Sequence, residues 1–259
     1  MKKLDQAGFT LVELISMMIV SGIFAGLILF FGVSYWRYSA LLEADLDSLV
    51  TRLNAGDKLR EFVGTSSGLI IQNSIADSHT LNPDPMIVSG LYWNPIHAIP
   101  GNKVIGATNT TMPLLYFRRF SVNSSKALIM NGLQPYEDEY VLYLNGTTKE
   151  LLLRSLSNTS ATGNSLKTSC PPTLATTLCP ADKVVAGDIA SIDMRYFSRT
   201  GNAIDWTSSY DALIPSYNGP DFTSVEVVEF GLNITKKPLF QTATATNNST
   251  IVRIALRNN

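Results

Sequence analysis

Residues 14–36 contain no Asp, Glu, Lys, Arg, His or Pro. Nothing in those residues breaks a helix or demands water, and about 20 such residues suffice to cross a bilayer as a helix. At roughly 1.5 Å per residue the run covers about 34 Å. The chain also lacks an excess of either charge, with 20 basic against 21 acidic side chains. That balance argues against a nucleic-acid binder, which needs a basic surface for phosphate contacts. There are only two histidines, His79 and His97, both in Pro- and Asn-rich sequence, which leaves little scope for acid–base chemistry. No HExxH, Walker loop or GxGxxG occurs, so the expectation is a protein that is not an enzyme. Asp182, Asp188, Asp193, Asp211 and Asp221 are scattered without the spacing of a calcium loop, and no metal or cofactor is expected. Charged residues make up 16%, low against a typical figure of about 25%. Part of the deficit is the apolar run, and the rest is a body rich in Ser, Thr and Asn.

Cysteine is nearly absent too. Cys170 and Cys179 are the only two, and with no His nearby they fall short of a zinc set. If the body lies outside the cytoplasm, a disulfide between them is the favoured reading. In the chain-entropy model a ten-residue loop closed this way contributes roughly 2.5–3 kcal/mol.

What is present is organised from the N-terminus. After residue 36 the helical pattern continues without proline: Tyr38, Leu42, Leu46, Leu49, Leu53, Leu59 and Val63 recur mostly at three- to four-residue steps. That spacing predicts an amphipathic helix burying one face on its own domain, with Gly56 as its weak link. Gly64 is well placed to end it as a C-terminal cap. Beyond it the composition shifts to strands and turns. Residues 69–72, 86–93, 114–122, 126–131 and 139–144 are candidate strands, followed by long ones at 189–198, 224–235 and 251–257. Tyr196, Phe197 and Phe230 are expected in the core. Asn145-Gly146 separates two apolar runs and predicts a hairpin, since both residues tolerate positive φ. Residues 83–101 hold four prolines, so that stretch reads as surface loop with at most an edge strand. The fold class is α+β: a long N-terminal helix, half apolar and half amphipathic, packed on an antiparallel β-rich C-terminal head. Residues 155–177 form a Ser/Thr/Asn-rich excursion within that head.

The first 36 residues admit three readings. A secretory signal peptide needs a shorter apolar core and a small-x-small cleavage site, which Val33-Ser34-Tyr35-Trp36 does not supply and Tyr38-Ser39-Ala40 matches only poorly. A plain single-pass anchor is the second. The third accounts for more residues. Met1 to Gly8 is a short basic leader ending in glycine, and Phe9-Thr10-Leu11-Val12-Glu13-Leu14 follows it directly into the long helix. This resembles the class III leader of type IV prepilins and type II secretion pseudopilins, without departure from Gly8 to Leu14. A narrower resemblance, to PilW/PulJ-type minor subunits, rests on shorter matches: Val184-Val-Ala-Gly-Asp-Ile, then Asp193-Met-Arg-Tyr-Phe and Gly201, and the ending Val252-Arg-Ile-Ala-Leu-Arg-Asn258.

The resemblance divides the chain into a leader (1–8), a transmembrane and polymerisation half-helix (9–36), an amphipathic half-helix (37–64) and a pilin-like extracytoplasmic head (65–259). It implies cleavage between Gly8 and Phe9 by a prepilin peptidase, where glycine presents no side chain to a narrow cleft, and N-methylation of the new terminus Phe9. Glu13 becomes the one charge in the embedded start of the helix, expensive unless paired, and its implied partner is the ammonium of a neighbouring subunit. Gly22 and Gly26, spaced as GxxxG beside Ser21 and Ala25, allow a second helix to approach closely in lipid. The partners implied are other pilin or pseudopilin subunits, an inner-membrane assembly platform and the lipid bilayer. Lys2 and Lys3 favour a cytoplasmic N-terminus with the head outside, in a single-pass protein later extracted into a fibre. Two further readings stay open: a major pilin, and a tip adhesin or DNA-uptake subunit using exposed aromatics such as Trp93 and Trp206.

Overall fold

The computed structural model of the chain describes residues 10–69, 75–77, 92–93, 103–106, 111–204, 225–236 and 246–256. Gly8, Phe9, His79, His97 and Trp206 lie outside them, as does the side chain of Trp93. The chain divides into two units: residues 1–47 with 237–245, and residues 48–236 with 246–259.

One helix, α1 (Leu11–Val63), runs 53 residues. No proline interrupts it, and residues 14–34 offer no polar side chain larger than serine to compete for its backbone. In the first unit every described residue up to Ser39 is exposed. In the second, Ser48, Ala55, Gly56, Leu59, Phe62 and Val63 are buried. This bears out Leu59 and Val63 of the expected face and corrects the rest of it. Leu42, Leu46, Leu49 and Leu53, at 4-3-4 spacing, are all exposed, Leu46 by 62% and Leu53 by 60%. The buried line runs one position back, through Ser48, Ala55, Leu59 and Phe62. Its small members allow close approach: a Cβ added at Gly56 would lie 3.4 Å from a Val252 methyl, ordinary contact distance. The residue that looked like a weak link is a packing point.

Gly64 does end α1, but not through a left-handed φ. A Cβ there would stand 2.5 Å from the Arg60 carbonyl oxygen, to which the Gly64 N–H donates at 3.0 Å. The Thr65 hydroxyl donates to the Glu61 carbonyl at 2.7 Å, capping the last turn. Gly64→Ala is therefore expected to destabilise the second unit by about 1–3 kcal/mol, the usual range for overpacking. Equilibrium urea denaturation measures it, and an unchanged midpoint would show that the backbone shifts freely.

The second unit holds two main sheets. The first is ordered β1 (Gly68–Leu69), β5 (Thr111–Phe120), β8 (Glu137–Asn145), β9 (Glu150–Leu156) and β10 (Lys183–Ala186), with every pairing antiparallel. In the second, β11 (Ile189–Ser198) pairs with β13 (Val225–Lys236), and β13 with β14 (Thr246–Ala255). Against β11 also lie β4 (Lys103–Gly106) and β12 (Ala203–Ile204). Small pairs join β2 (Ile75–Ala76) to β3 (Tyr92–Trp93) and β6 (Met130–Asn131) to β7 (Gln134–Pro135). Residues 141–144 and 151–153 are buried without alternation, the mark of strands covered on both faces. On β11, by contrast, Ile192, Met194 and Tyr196 alternate inward. One buried cluster unites both sheets with Leu59, Phe62 and Val63 of α1.

Three local expectations need correction. Phe197 is only half-buried, with the Arg253 guanidinium over its ring at 5.4 Å. Tyr196 and Phe230 are fully buried; neighbours on a strand face opposite ways, so Tyr196 and Phe197 cannot share the core. In residues 126–131 only Met130–Asn131 is strand. The Asn123 side chain accepts the backbone N–H groups of Ser125 and Ala127, folding the segment into a turn with Lys126 at φ 62°. The β8–β9 hairpin forms, yet neither Asn145 nor Gly146 has positive φ. Asn145 pairs with Glu150 as the last rung. Its side chain accepts from Thr147 and Thr148, and Lys149 takes the left-handed position at φ 57°.

Candidate functional site: the apolar helix and its N-terminal carboxylate

The start of α1 is built by a reciprocal cap. The Glu13 carboxylate accepts the Thr10 N–H and the Thr10 hydroxyl, each at 2.9 Å, while the Glu13 N–H points to the Thr10 hydroxyl oxygen at 3.4 Å. Thr-x-x-Glu in this geometry is a capping box, and a carboxylate at this end also complements the helix dipole. Thus Glu13, singled out as a lone charge, has a partner within its own chain. Behind it the helix is long and apolar enough to cross a membrane, and its most apolar 18-residue window has no residue buried. At Gly22 and Gly26 an added Cβ would meet nothing within 4 Å. The face they mark is open to a neighbouring helix.

The expected pairing of Cys170 with Cys179 is present as a disulfide, with Cα atoms 5.5 Å apart. It closes residues 170–179 within the connection from β9 to β10, and that connection is sewn down further by side chains. Ser169 gives its N–H to the Ser155 carbonyl at 2.9 Å and takes the Ser155 N–H on its hydroxyl at 2.9 Å. Cys170 receives the Asp182 N–H on its carbonyl at 2.8 Å.

Under this loop lies an ionic cluster that reasoning from sequence misses. Arg154 is fully buried in β9. Its Nε donates to Asp77 at 2.8 Å and its Nη1 to both oxygens of Asp182 at 3.0 Å. Asp182 also accepts the Tyr143 and Ser169 hydroxyls, each at 2.6 Å. Burial first, and then the Asp182 charge, holds the Tyr143 phenol protonated far above its ordinary range. The available signal is a single arginine in the apolar run Leu151-Leu152-Leu153-Arg154, since a buried arginine must be paired. Its partners stand 77 and 28 residues away, beyond any local pattern. The cluster is a structural clasp, with two carboxylates and two hydroxyls gathered around one guanidinium.

The first half of α1 is thus exposed, while the Arg154 cluster of the second unit is buried. Comparison with family models, with characterised proteins and with solved structures found no match.

Proposed function

We infer that the chain is a minor pilin or pseudopilin, a structural subunit that enters a type IV pilus or secretion pseudopilus through its N-terminal helix. The observation that carries this reading is one helix, apolar and fully exposed along its first half, that begins at a carboxylate and continues into a folded β-rich head. An exposed apolar face of this length demands either lipid or other helices. The class III leader implies that it meets both in turn. Prepilin peptidase removes residues 1–8, the helix stays in the bilayer with the head outside, and the assembly platform then moves it into a bundle of like helices. The open Gly22/Gly26 face allows close helix contact in that bundle, and Glu13 supplies the charge that sets axial register.

Mass spectrometry of the mature protein tests this. The expected N-terminus is Phe9 carrying one methyl group. A chain beginning after Ala40 would assign the apolar run to a discarded signal peptide and overturn the reading.

A further inference from the structure

Beside the disulfide loop, and wholly within the second unit, a cleft of about 400 Å³ opens between β5, β8, β9, the end of α1 and residues 165–183. That is at the small end of the range for ligand sites, roughly 300–1,000 Å³. Three cations line it, Arg119, Lys167 and Lys183, and no carboxylate does. Among the described residues none of the three is in an ion pair. Arg118, one residue from Arg119, is by contrast flanked by Glu137 at 3.7 Å and Glu139 at 3.6 Å. The carboxylates near the cleft are already engaged. Asp138 is buried and accepts from Asn158 and Asn164, and Asp182 belongs to the Arg154 cluster. In a chain of net charge −1, this gathers three cations on one lining without a carboxylate, with Asp138 opposite Arg119 across the strand pair.

The cations stand on a prepared surface. Arg119 lies over the Tyr140 ring at 5.6 Å, and that ring is stacked on Phe117 at 5.3 Å. Lys183 sits 4.2 Å from the centre of the Phe62 ring. Lys167 is carried by the segment tied to β9, where the Ser155 hydroxyl donates to the Lys167 carbonyl at 3.1 Å. Leu153 and Leu166 supply apolar surface beside them. The ring contacts of Arg119 and Lys183 hold these two in place before a ligand arrives, which lowers the cost of binding.

The hydroxyls narrow the ligand class. Ser155 and Ser165 also line the cleft, and both have given their protons away, to the Lys167 and Val122 carbonyls. Their oxygens retain lone pairs that accept from O–H groups. A site that combines cations with hydroxyl acceptors and apolar surface suits a polyol bearing an anionic group. An extended peptide fits less well, because the β10 carbonyls of Val184 and Val185 already accept the Lys58 ammonium, at 2.8 and 3.5 Å. That occupies the edge a peptide strand would use.

We propose that this cleft binds an acidic saccharide. Its carboxylate or sulfate sits among Arg119, Lys167 and Lys183, its hydroxyls donate to Ser155 and Ser165, and a ring face lies on Leu153 and Leu166. The test is calorimetric titration of the full chain in detergent micelles with four probes: trigalacturonate, a sulfated disaccharide, maltotriose and triglutamate. At least one acidic saccharide is expected to bind about tenfold or more tightly than maltotriose and triglutamate, with affinity falling as salt rises. The pair of acidic probes tells carboxylate from sulfate. In the Lys167→Glu/Lys183→Glu variant that affinity should drop at least about tenfold, since reversing two exposed charges repels the anion. Lys149→Glu, at the far end of the β8–β9 hairpin, should leave it unchanged. If the double variant loses its native circular dichroism, Lys167→Glu alone serves. Absence of binding by both acidic saccharides, equal binding of triglutamate, or an unaltered affinity in the charge-reversed variant each overturns the proposal.

Discussion

Glu13→Gln is expected to insert in the membrane and lose its leader normally, yet to be depleted about tenfold or more from sheared fibres. The reason lies in the capping geometry. Glu13 performs a local task, accepting the Thr10 N–H and hydroxyl at 2.9 Å, which glutamine at the same position also performs. The substitution therefore keeps the cap and removes only the charge. If Glu13 serves only to start the helix, Gln is silent. If its carboxylate meets the ammonium of a neighbouring subunit, the pair is lost. Desolvated charge pairs at interfaces couple by about 1.5–7 kcal/mol, and each ~1.4 kcal/mol is a factor of ten. Thr10→Val completes the separation, because it weakens the cap by about 0.5–2 kcal/mol while leaving the charge. It should reduce incorporation far less than Glu13→Gln does. Quantitative immunoblots of membranes and of sheared fibres measure both. Normal recovery of the Gln variant would show that Glu13 is a capping residue and nothing more.

The second large effect belongs to the head. Asp182→Ala strips one of two carboxylates from fully buried Arg154 and takes the acceptor from the Tyr143 and Ser169 hydroxyls. Breaking a buried ion pair from one side costs about 3–5 kcal/mol, a large share of the 5–15 kcal/mol or so that holds a typical domain together. Urea denaturation followed by tyrosine fluorescence should show a much lower midpoint with little change in slope. Asp182→Asn keeps a hydrogen-bond acceptor and the shape, and should fall between wild type and Ala. The disulfide acts on the same cluster, because Ser169 precedes Cys170 and the Asp182 N–H is held by the Cys170 carbonyl. Cys170→Ser/Cys179→Ser combined with Asp182→Ala is therefore expected to be non-additive, as residues sharing one network are. A shift below about 1 kcal/mol for Asp182→Ala, well under the usual cost of a broken buried pair, would mean that water or a rearranged loop replaces the carboxylate.

How much of this was legible depended on the reach of each interaction. The helix was, because its apolar run and three- to four-residue spacing are local properties. So were most long strands: the expected 189–198 and 224–235 stand beside the observed Ile189–Ser198 and Val225–Lys236. The disulfide was available because the chain contains only two cysteines. Turn chemistry was legible only in part. Asn145 does shape its hairpin, but through side-chain acceptance from Thr147 and Thr148, with the positive φ falling on Lys149.

By itself the sequence determined an exposed apolar helix beginning near Glu13, a β-rich head after Gly64 and one cysteine pairing, since each follows from residues close in the chain or few in number. Only the tertiary structure decided that Ser48, Ala55 and Phe62 join the expected Leu59 and Val63 in burial, while Leu42, Leu46, Leu49 and Leu53 stay exposed. Both lines have helical period, and on the buried one Gly56 packs beside Val252. It likewise decided that Asp77, Arg154 and Asp182 meet, and that Arg119, Lys167 and Lys183 share a cleft without a carboxylate. Charges so far apart in the chain become partners only when strands pair and a stapled loop folds over them.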